Sequence, residues 1–155
     1  PIIYDVLLGD KIAPKGGEMR PRVMEFLKKS PDERWEFFLK EMGRCIRCYA
    51  CRNVCPMCYC DPCFVDGSRP QWAEKAPKVS SNLMFHLTRT HHLAGRCVEC
   101  GECSRACPLG IPVLLLHQYL AKACEEMFGL EAGVNPEEKP ALVTLSTTDP
   151  DDILK

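Results

Sequence analysis

The sequence predicts a mainly α-helical domain built around two cysteine-rich loops, with an extended arm at each end. The loops, at residues 45–56 and 97–108, both read C-x2-C-x2-C-x3-C-P. Amphipathic helical patterns stand before and after each loop. Residues 1–20 and 130–155 lack such patterns, so we predict a domain at 21–129 between an N-terminal arm and a C-terminal tail.

Composition excludes several classes of function. The chain has 155 residues and a net charge of −1, so it lacks the basic surface that nucleic acid requires. No apolar run approaches the length of a membrane span, and the first residues do not resemble a signal peptide. Its 12 cysteines are many, and metal-binding thiolates need a reducing compartment. We therefore expect a cytoplasmic protein from an anaerobic setting.

The N-terminal arm holds one short apolar run, from Ile2 to Leu8, before a stretch rich in proline and glycine. The run is typical of a strand or extended segment, packed either on its own domain or on a partner. Pro1 stands either after a removed initiator methionine or inside a longer polypeptide, and both readings stay open. Residues 21–29 then carry the pattern of a short amphipathic helix.

The second predicted helix has clear signals at both ends. Ser30 can cap it, Pro31 suits its first position, and Glu33 completes a capping box. Gly43 ends it. One face carries apolar side chains at helical spacing, which we expect to form core and to shield the first cysteine loop from water. These side chains are Trp35, Phe38, Leu39 and Met42.

The two cysteine runs have the spacing of ligands to two [4Fe–4S] clusters. Three thiolates within seven residues can hold three corners of one cubane, and the fourth, followed by proline, is better placed to bind the other cluster. Zinc sites usually take two close cysteines from each of two places, and nothing suggests the secretion that disulfides would require. We predict crossed ligand sets, which would make folding of this region depend on cluster insertion. The first set is Cys45, Cys48, Cys51 and Cys107, and the second is Cys97, Cys100, Cys103 and Cys55.

Three further cysteines, Cys58, Cys60 and Cys63, are not needed by two clusters. We interpret them as a possible third metal site, for zinc or a further iron–sulfur cluster, with Cys124 or a histidine as the fourth ligand. Two alternatives stay open. Some of these cysteines are buried thiols beside the clusters, or one of them replaces Cys55 as a ligand.

A proline- and glycine-rich loop at residues 64–80 separates the two cysteine runs, and we expect Trp72 to pack within it. Ser80 or Ser81 then caps a helix that runs to Ala94. The apolar residues of this predicted helix include Leu83, Met84 and Leu87, and the helix ends at Gly95. Histidines on a helix that approaches a cluster are more often hydrogen-bond donors than ligands. This applies to His86, His91 and His92.

The last predicted helix spans Val113–Phe128, after Pro112 and before Gly129. Cys124 lies on its apolar stripe and is more typical of a buried thiol than of a ligand. The tail contains several prolines and an acidic run, with one strand-like stretch at Ala141–Leu145. Such a tail is either mobile or laid over a partner subunit. The stripe consists of Leu116, Leu120, Cys124 and Met127.

Helices on both sides of each loop resemble the α-helical ferredoxin architecture, as in the iron–sulfur subunits of fumarate reductases and heterodisulfide reductases. Small ferredoxins with two cubanes place their motifs close together, whereas Cys55 and Cys97 stand 42 residues apart. An α+β bacterial ferredoxin-like fold is the alternative.

Two segments, Gly43–Asp66 and His92–Leu116, make the resemblance more specific. They are similar to dicluster proteins found with heterodisulfide reductase-like and flavin oxidoreductase-like complexes of anaerobes. They also look like the ferredoxin parts of deazaflavin-dependent hydrogenase and formate dehydrogenase beta subunits. The resemblance covers about half of the chain, from Gly43 to Phe128. It implies a subunit that passes single electrons between a flavin- or NAD-handling subunit and another redox module, and relatives with longer N-termini favour Pro1 being internal.

Two other functions compete with electron transfer. One is a redox enzyme subunit in which the group Cys58, Cys60 and Cys63 acts on a substrate. The chain has neither a nucleotide-binding glycine fingerprint nor another catalytic constellation, so we predict no catalytic residue. The other is a scaffold in which the clusters serve only structure.

Overall fold

The computed structural model describes residues 21–135 and 137–139. Over these ranges the chain is helical and contains no strand, which confirms the predicted mainly α fold. The predicted N-terminal arm and the strand-like stretch Ala141–Leu145 lie outside the described residues, and the domain boundaries stay a prediction. The helices are α1 (Pro21–Leu27), α2 (Pro31–Gly43), α3 (Ala50–Asn53), α4 (Val79–His92), α5 (Glu102–Arg105) and α6 (Val113–Phe128).

Helix α2 begins and ends as its sequence signals predict. The backbone N–H of Glu33 donates to Ser30 Oγ at 3.2 Å, and the N–H of Ser30 donates to the Glu33 carboxylate at 2.7 Å. Pro31 occupies the first helical turn, and the helix ends at Gly43. The reciprocal bonds satisfy backbone donors that a helix N-terminus otherwise leaves without partners.

The buried face of α2 differs from the predicted one. The indole of Trp35 is 51% exposed, so its expected place in the core is wrong. Phe37 takes that role, because α1 lies over it and places Phe26 edge-on at 5.2 Å between ring centroids. Phe38 packs on the same ring, also at 5.2 Å, and Met42 is buried as predicted. Because α1 contacts α2 at Phe37, the buried face of α2 includes Phe37 and leaves out Trp35.

The loop before α4 and the start of α4 also differ from prediction. Trp72 is 58% exposed and does not pack, because the loop is held by other contacts, including a bond from the Arg47 guanidinium to the Ala76 carbonyl. Helix α4 begins at Val79, ahead of the predicted serine cap. Lys78 occupies the N-cap position, and its carbonyl accepts from the N–H of Asn82 at 2.9 Å. Because Ser81 is buried in the first turn, it packs rather than caps.

Helix α6 has its predicted bounds, and Gly129 ends it in the left-handed conformation at φ 65°. Cys124 is buried on it, which agrees with the prediction of a buried thiol. None of the helices within the described ranges is long and apolar enough to cross a membrane.

The main core lies between α2, α4 and α6, and the cysteine loops close one side of it. Helix α3 packs against α5, so the two loops meet. Two of the cysteines, Cys51 and Cys103, are themselves buried members of this core. The core therefore positions the loops directly. Its other buried members are Met42, Phe85, Ile111, Val113 and Leu116.

Candidate metal centre

The two cysteine loops share one backbone conformation. In the first loop, Arg47 and Tyr49 have left-handed φ values of 50° and 60°. Glu99 and Gly101 stand at the matching positions of the second loop, with φ values of 55° and 81°. A four-residue helix follows in each case, α3 in the first loop and α5 in the second. The loops are therefore structural repeats that present their first three cysteines in the same way.

The repeat continues through the fourth cysteine of each loop. The N–H of Cys58 donates to the carbonyl of Cys55, and the N–H of Gly110 donates to the carbonyl of Cys107, both at 3.1 Å. Each bond closes a turn that contains the proline of the motif. Cys55 and Cys107 closely follow α3 and α5, which pack together, so each fourth cysteine is close to the facing loop.

Cysteines of the first loop have charged neighbours in both loops: Cys107 acts on Cys45, and Cys103 acts on Cys51. Burial raises the pKa of the Cys45 thiol, and the neighbouring thiols of Cys107 and Cys48 raise it further. Burial likewise raises the pKa of Cys51 to about 11, with Cys45 and Cys48 among its charged neighbours. Cys107, which belongs to the second loop in sequence, therefore lies beside the cysteines of the first loop.

The second set shows the reciprocal arrangement. Burial raises the pKa of Cys97 to about 11, and both Cys103 and Cys55 raise it further. Burial also raises the pKa of Cys103, whose neighbours include Cys55 and Cys100. Cys55 thus lies beside the second loop. The crossed ligand sets stay a prediction.

The chemistry of the cysteines fits iron–sulfur clusters. A buried thiolate is costly without positive charge nearby, and metal ions supply that charge. Backbone donors also point at sulfur: the N–H of Arg47 donates to Cys45 Sγ at 3.4 Å, and the N–H of Glu99 donates to Cys97. Such amide–sulfur bonds stabilise cluster ligands and tune cluster potentials.

The histidines agree with the expectation of a supporting role. The Nε2 atom of His86 lies 3.4 Å from Cys45 Sγ. Burial and the charge of Arg89 lower the pKa of His86 to about 4, so its ring is neutral. His91 and His92 are exposed.

Sequence reasoning missed a buried polar pair, Arg89 and His117. One Arg89 Nη donates to the carbonyl of Cys51 at 3.0 Å, and the other donates to His117 Nε2 at 2.7 Å. Burial and the charge of Arg89 lower the pKa of His117 to about 3. A signal was present in the sequence, because Asn82, His86 and Arg89 recur at the spacing of one helix face.

The additional cysteines line a small cavity of about 50 Å³ together with Arg52 and Arg89. Cys58 and Cys63 are half-buried and Cys60 is exposed. Cys124 is not among them, because it lines a different cavity beside Cys97. Within the described part of the chain, no three His, Cys, Asp or Glu side chains converge as ligands of a single ion. The third metal site stays a prediction.

Comparison with known families identifies the two-loop region. Residues 41–111 match the family described as 4Fe-4S dicluster domain. Such a domain holds two [4Fe–4S] clusters, which confirms the predicted pair of cofactors.

Three relatives from methanogens also match the chain, and two of them cover a longer part of it. It is 32% identical over 120 residues to the F420-dependent formate dehydrogenase subunit beta of Methanocaldococcus jannaschii, with 75% of this chain and 31% of the relative covered. It is 31% identical over 140 residues to the F420-dependent formate dehydrogenase 1 subunit beta of Methanococcus maripaludis, and the match covers 83% of this chain and 35% of the relative. Polyferredoxin protein MvhB of Methanothermus fervidus is 31% identical over 84 residues, and the match covers 43% of this chain and 20% of the relative. The chain spans about a third of the length of the formate dehydrogenase subunits, and the predicted resemblance to such subunits is confirmed.

Proposed function

Because residues 41–111 are a 4Fe-4S dicluster domain, we propose that this chain is the electron-relay part of an anaerobic oxidoreductase complex. It passes single electrons between a flavin- or NAD-handling subunit and another redox module. The observation that supports the proposal is the pair of repeated loops, which carry four cysteines each and pack against one another through α3 and α5. Relatives named as formate dehydrogenase beta subunits support a complex of that type. A cytoplasmic location fits the need to keep so many thiols reduced.

The chain's own residues bind the clusters and exclude water. Bound there, the two clusters supply one-electron chemistry. Core side chains bury the inner cysteines, and backbone N–H groups of Arg47 and Glu99 donate to sulfur. The first cluster is held by Cys45, Cys48, Cys51 and Cys107, and the second by Cys97, Cys100, Cys103 and Cys55.

The first test is metal content. We expect about eight iron and about eight acid-labile sulfide per chain after anaerobic purification. One zinc in addition would support a third site at Cys58, Cys60 and Cys63. About twelve iron would mean a third cluster. Zinc without iron would refute the proposal.

Serine substitutions at two neighbouring cysteines test the crossed ligand sets. We expect Cys55→Ser to lose the second cluster, so that iron falls from about eight to about four per chain and one EPR signal of the reduced protein disappears. Cys58→Ser is the matched control, three residues away, and should keep both signals. The opposite pattern would show that Cys58, not Cys55, is the ligand.

A second function is favoured by the cavity that Cys58, Cys60 and Cys63 share with Arg52 and Arg89. In that alternative the chain is a redox enzyme subunit that acts on a substrate at these thiols. The triple serine variant separates the two functions. Electron transfer from reduced methyl viologen to an artificial acceptor should continue at the same rate if the chain is a relay. Loss of a substrate-specific turnover, with eight iron retained, would favour the enzyme.

A further inference from the structure

The buried side chain of Arg89 on α4 carries a positive charge that no carboxylate of the described residues neutralises. Its side chain is 3% exposed, and among the ion pairs of the described residues none includes it. Burying a charge is costly unless an opposite charge lies close. The position of Arg89 therefore requires a source of negative charge near the guanidinium.

Several contacts hold the guanidinium in one place. It donates to the carbonyl of Cys51 at the start of α3 and to Nε2 of His117 on α6. It also lies close enough to the thiols of Cys55 and Cys58 to act to lower their pKa values. Since Nε2 of His117 must accept the bond from Arg89, the imidazole is neutral there and contributes no competing charge. Arg89 thus joins three separate parts of the chain around one fixed positive charge.

The groups that face this charge are Cys58, which belongs to neither ligand set, and cysteines of both sets. Burial opposes the charge of Arg89, but the thiols of Cys58, Cys51 and Cys55 hold its pKa above the ordinary value. Arg89 in turn acts to lower the pKa of Cys103, against the effect of burial. Cys51 belongs to the first set, whereas Cys55 and Cys103 belong to the second. The guanidinium therefore lies where the two sets adjoin.

We propose that Arg89 is a positioning residue that serves as the shared counter-ion of both cluster sites and raises both reduction potentials. The inference rests on the proposed function, because it needs both clusters to be bound by the two sets. A fixed positive charge favours the reduced form of each cluster, which carries one more negative charge than the oxidised form. In a buried site water screens this effect little.

The test is a redox titration of the whole chain, monitored by EPR under anaerobic conditions with dithionite as titrant. We expect Arg89→Gln to keep about eight iron but to lower both midpoint potentials. At a fixed solution potential the ratio of reduced to oxidised cluster should fall about tenfold, which equals about 59 mV for one electron. Arg89→Lys should restore most of the shift. The control is Arg69→Gln, because Arg69 is exposed in the loop before α4, so its effect should be smaller.

Other outcomes separate the two proposals. Wild-type chain without about eight iron would defeat the proposed function itself. Intact clusters with unchanged midpoints in Arg89→Gln would overturn the role of Arg89 alone. If Arg89→Gln fails to retain iron, His117→Glu and His117→Gln decide, because a carboxylate at this position neutralises Arg89 without removing it. Lower midpoints for His117→Glu than for His117→Gln support the proposal, and equal midpoints overturn it.

Discussion

Asn82 connects the end of α2 to α4 at the point where the first cysteine loop begins. Its side chain is fully buried, and Nδ2 donates to the carbonyls of Met42 and Cys45, both at 2.8 Å. Because the Met42 carbonyl also accepts from the N–H of Cys45, these bonds fix the direction in which the loop leaves α2. We predict that Asn82→Ala destabilises the fold and loosens the first cluster site.

The magnitude follows from the two lost bonds. Each intramolecular hydrogen bond contributes about 0.5–1.5 kcal/mol net, and a buried carbonyl left without a partner costs about 1–3 kcal/mol. For Asn82→Ala these terms sum to about 2–6 kcal/mol, because two bonds are lost and the Cys45 carbonyl is left without this donor. With an m value of about 2 kcal/mol per molar urea, the apparent unfolding midpoint falls by about 1–3 M.

The assay is an anaerobic urea titration followed by circular dichroism and by visible cluster absorbance. Ser80→Ala, an exposed change on the same helix, is the control and should leave the midpoint nearly unchanged. Asn82→Asp should become more destabilising as the pH rises, because the ionised carboxylate cannot donate to the two carbonyl oxygens that it faces. A midpoint within 0.25 M of wild type for Asn82→Ala, on the order of 0.5 kcal/mol, would refute this reasoning.

Three further predictions concern the packing, the helix cap and the pH dependence. Phe85→Ala should lower the free energy of unfolding by about 3–5 kcal/mol in a urea titration, because Phe85 is 1% exposed. Met84 is exposed, so Met84→Ala should lower it by less than about 1 kcal/mol. Ser30→Ala should cost about 1 kcal/mol, measured the same way, because it removes the capping box of α2, and Ser30→Asp should restore most of that. Burial and Arg89 hold the pKa of His117 at about 3, so below about pH 6.5 the unfolded chain binds a proton that the folded chain does not. Stability should therefore fall toward pH 5 by up to about 1.4 kcal/mol per pH unit from this group, and His117→Gln should show a shallower fall; equal slopes would contradict the assignment.

Local signals account for what the sequence predicted of the fold. The capping box of α2 and the glycine that ends α6 act within one or two helical turns, so their effect can be read from neighbouring residues. The exposure of Trp35 could not be read in this way. It depends on α1 covering Phe37 instead, and helical spacing alone does not say which side of an apolar stripe a neighbouring helix will cover.

The same distinction between local sequence signals and contacts of distant residues applies to the cluster site. The cysteines of each loop lie within a few residues of one another, so the spacing that a cubane requires is visible in the sequence. The contact between Arg89 and His117 spans 28 residues and exists only because α4 and α6 pack together. The sequence shows only that Asn82, His86 and Arg89 share one helix face, and this spacing does not distinguish a solvated polar face from the buried one in the structure.

The left-handed residues of the loops connect the fold to its cofactors. A non-glycine residue in this region costs on the order of 1 kcal/mol and persists only where its surroundings hold it. Glycine takes one such position in the second loop, at Gly101, but Tyr49 occupies the equivalent place in the first. The Tyr49 ring packs edge-on against Phe85 at 5.2 Å, and Arg52 lies over it at 5.4 Å. The first loop therefore depends more than the second on core contacts to keep its ligand geometry. Because the first loop also supplies Cys55 to the second set, loss of those contacts should weaken both cluster sites together.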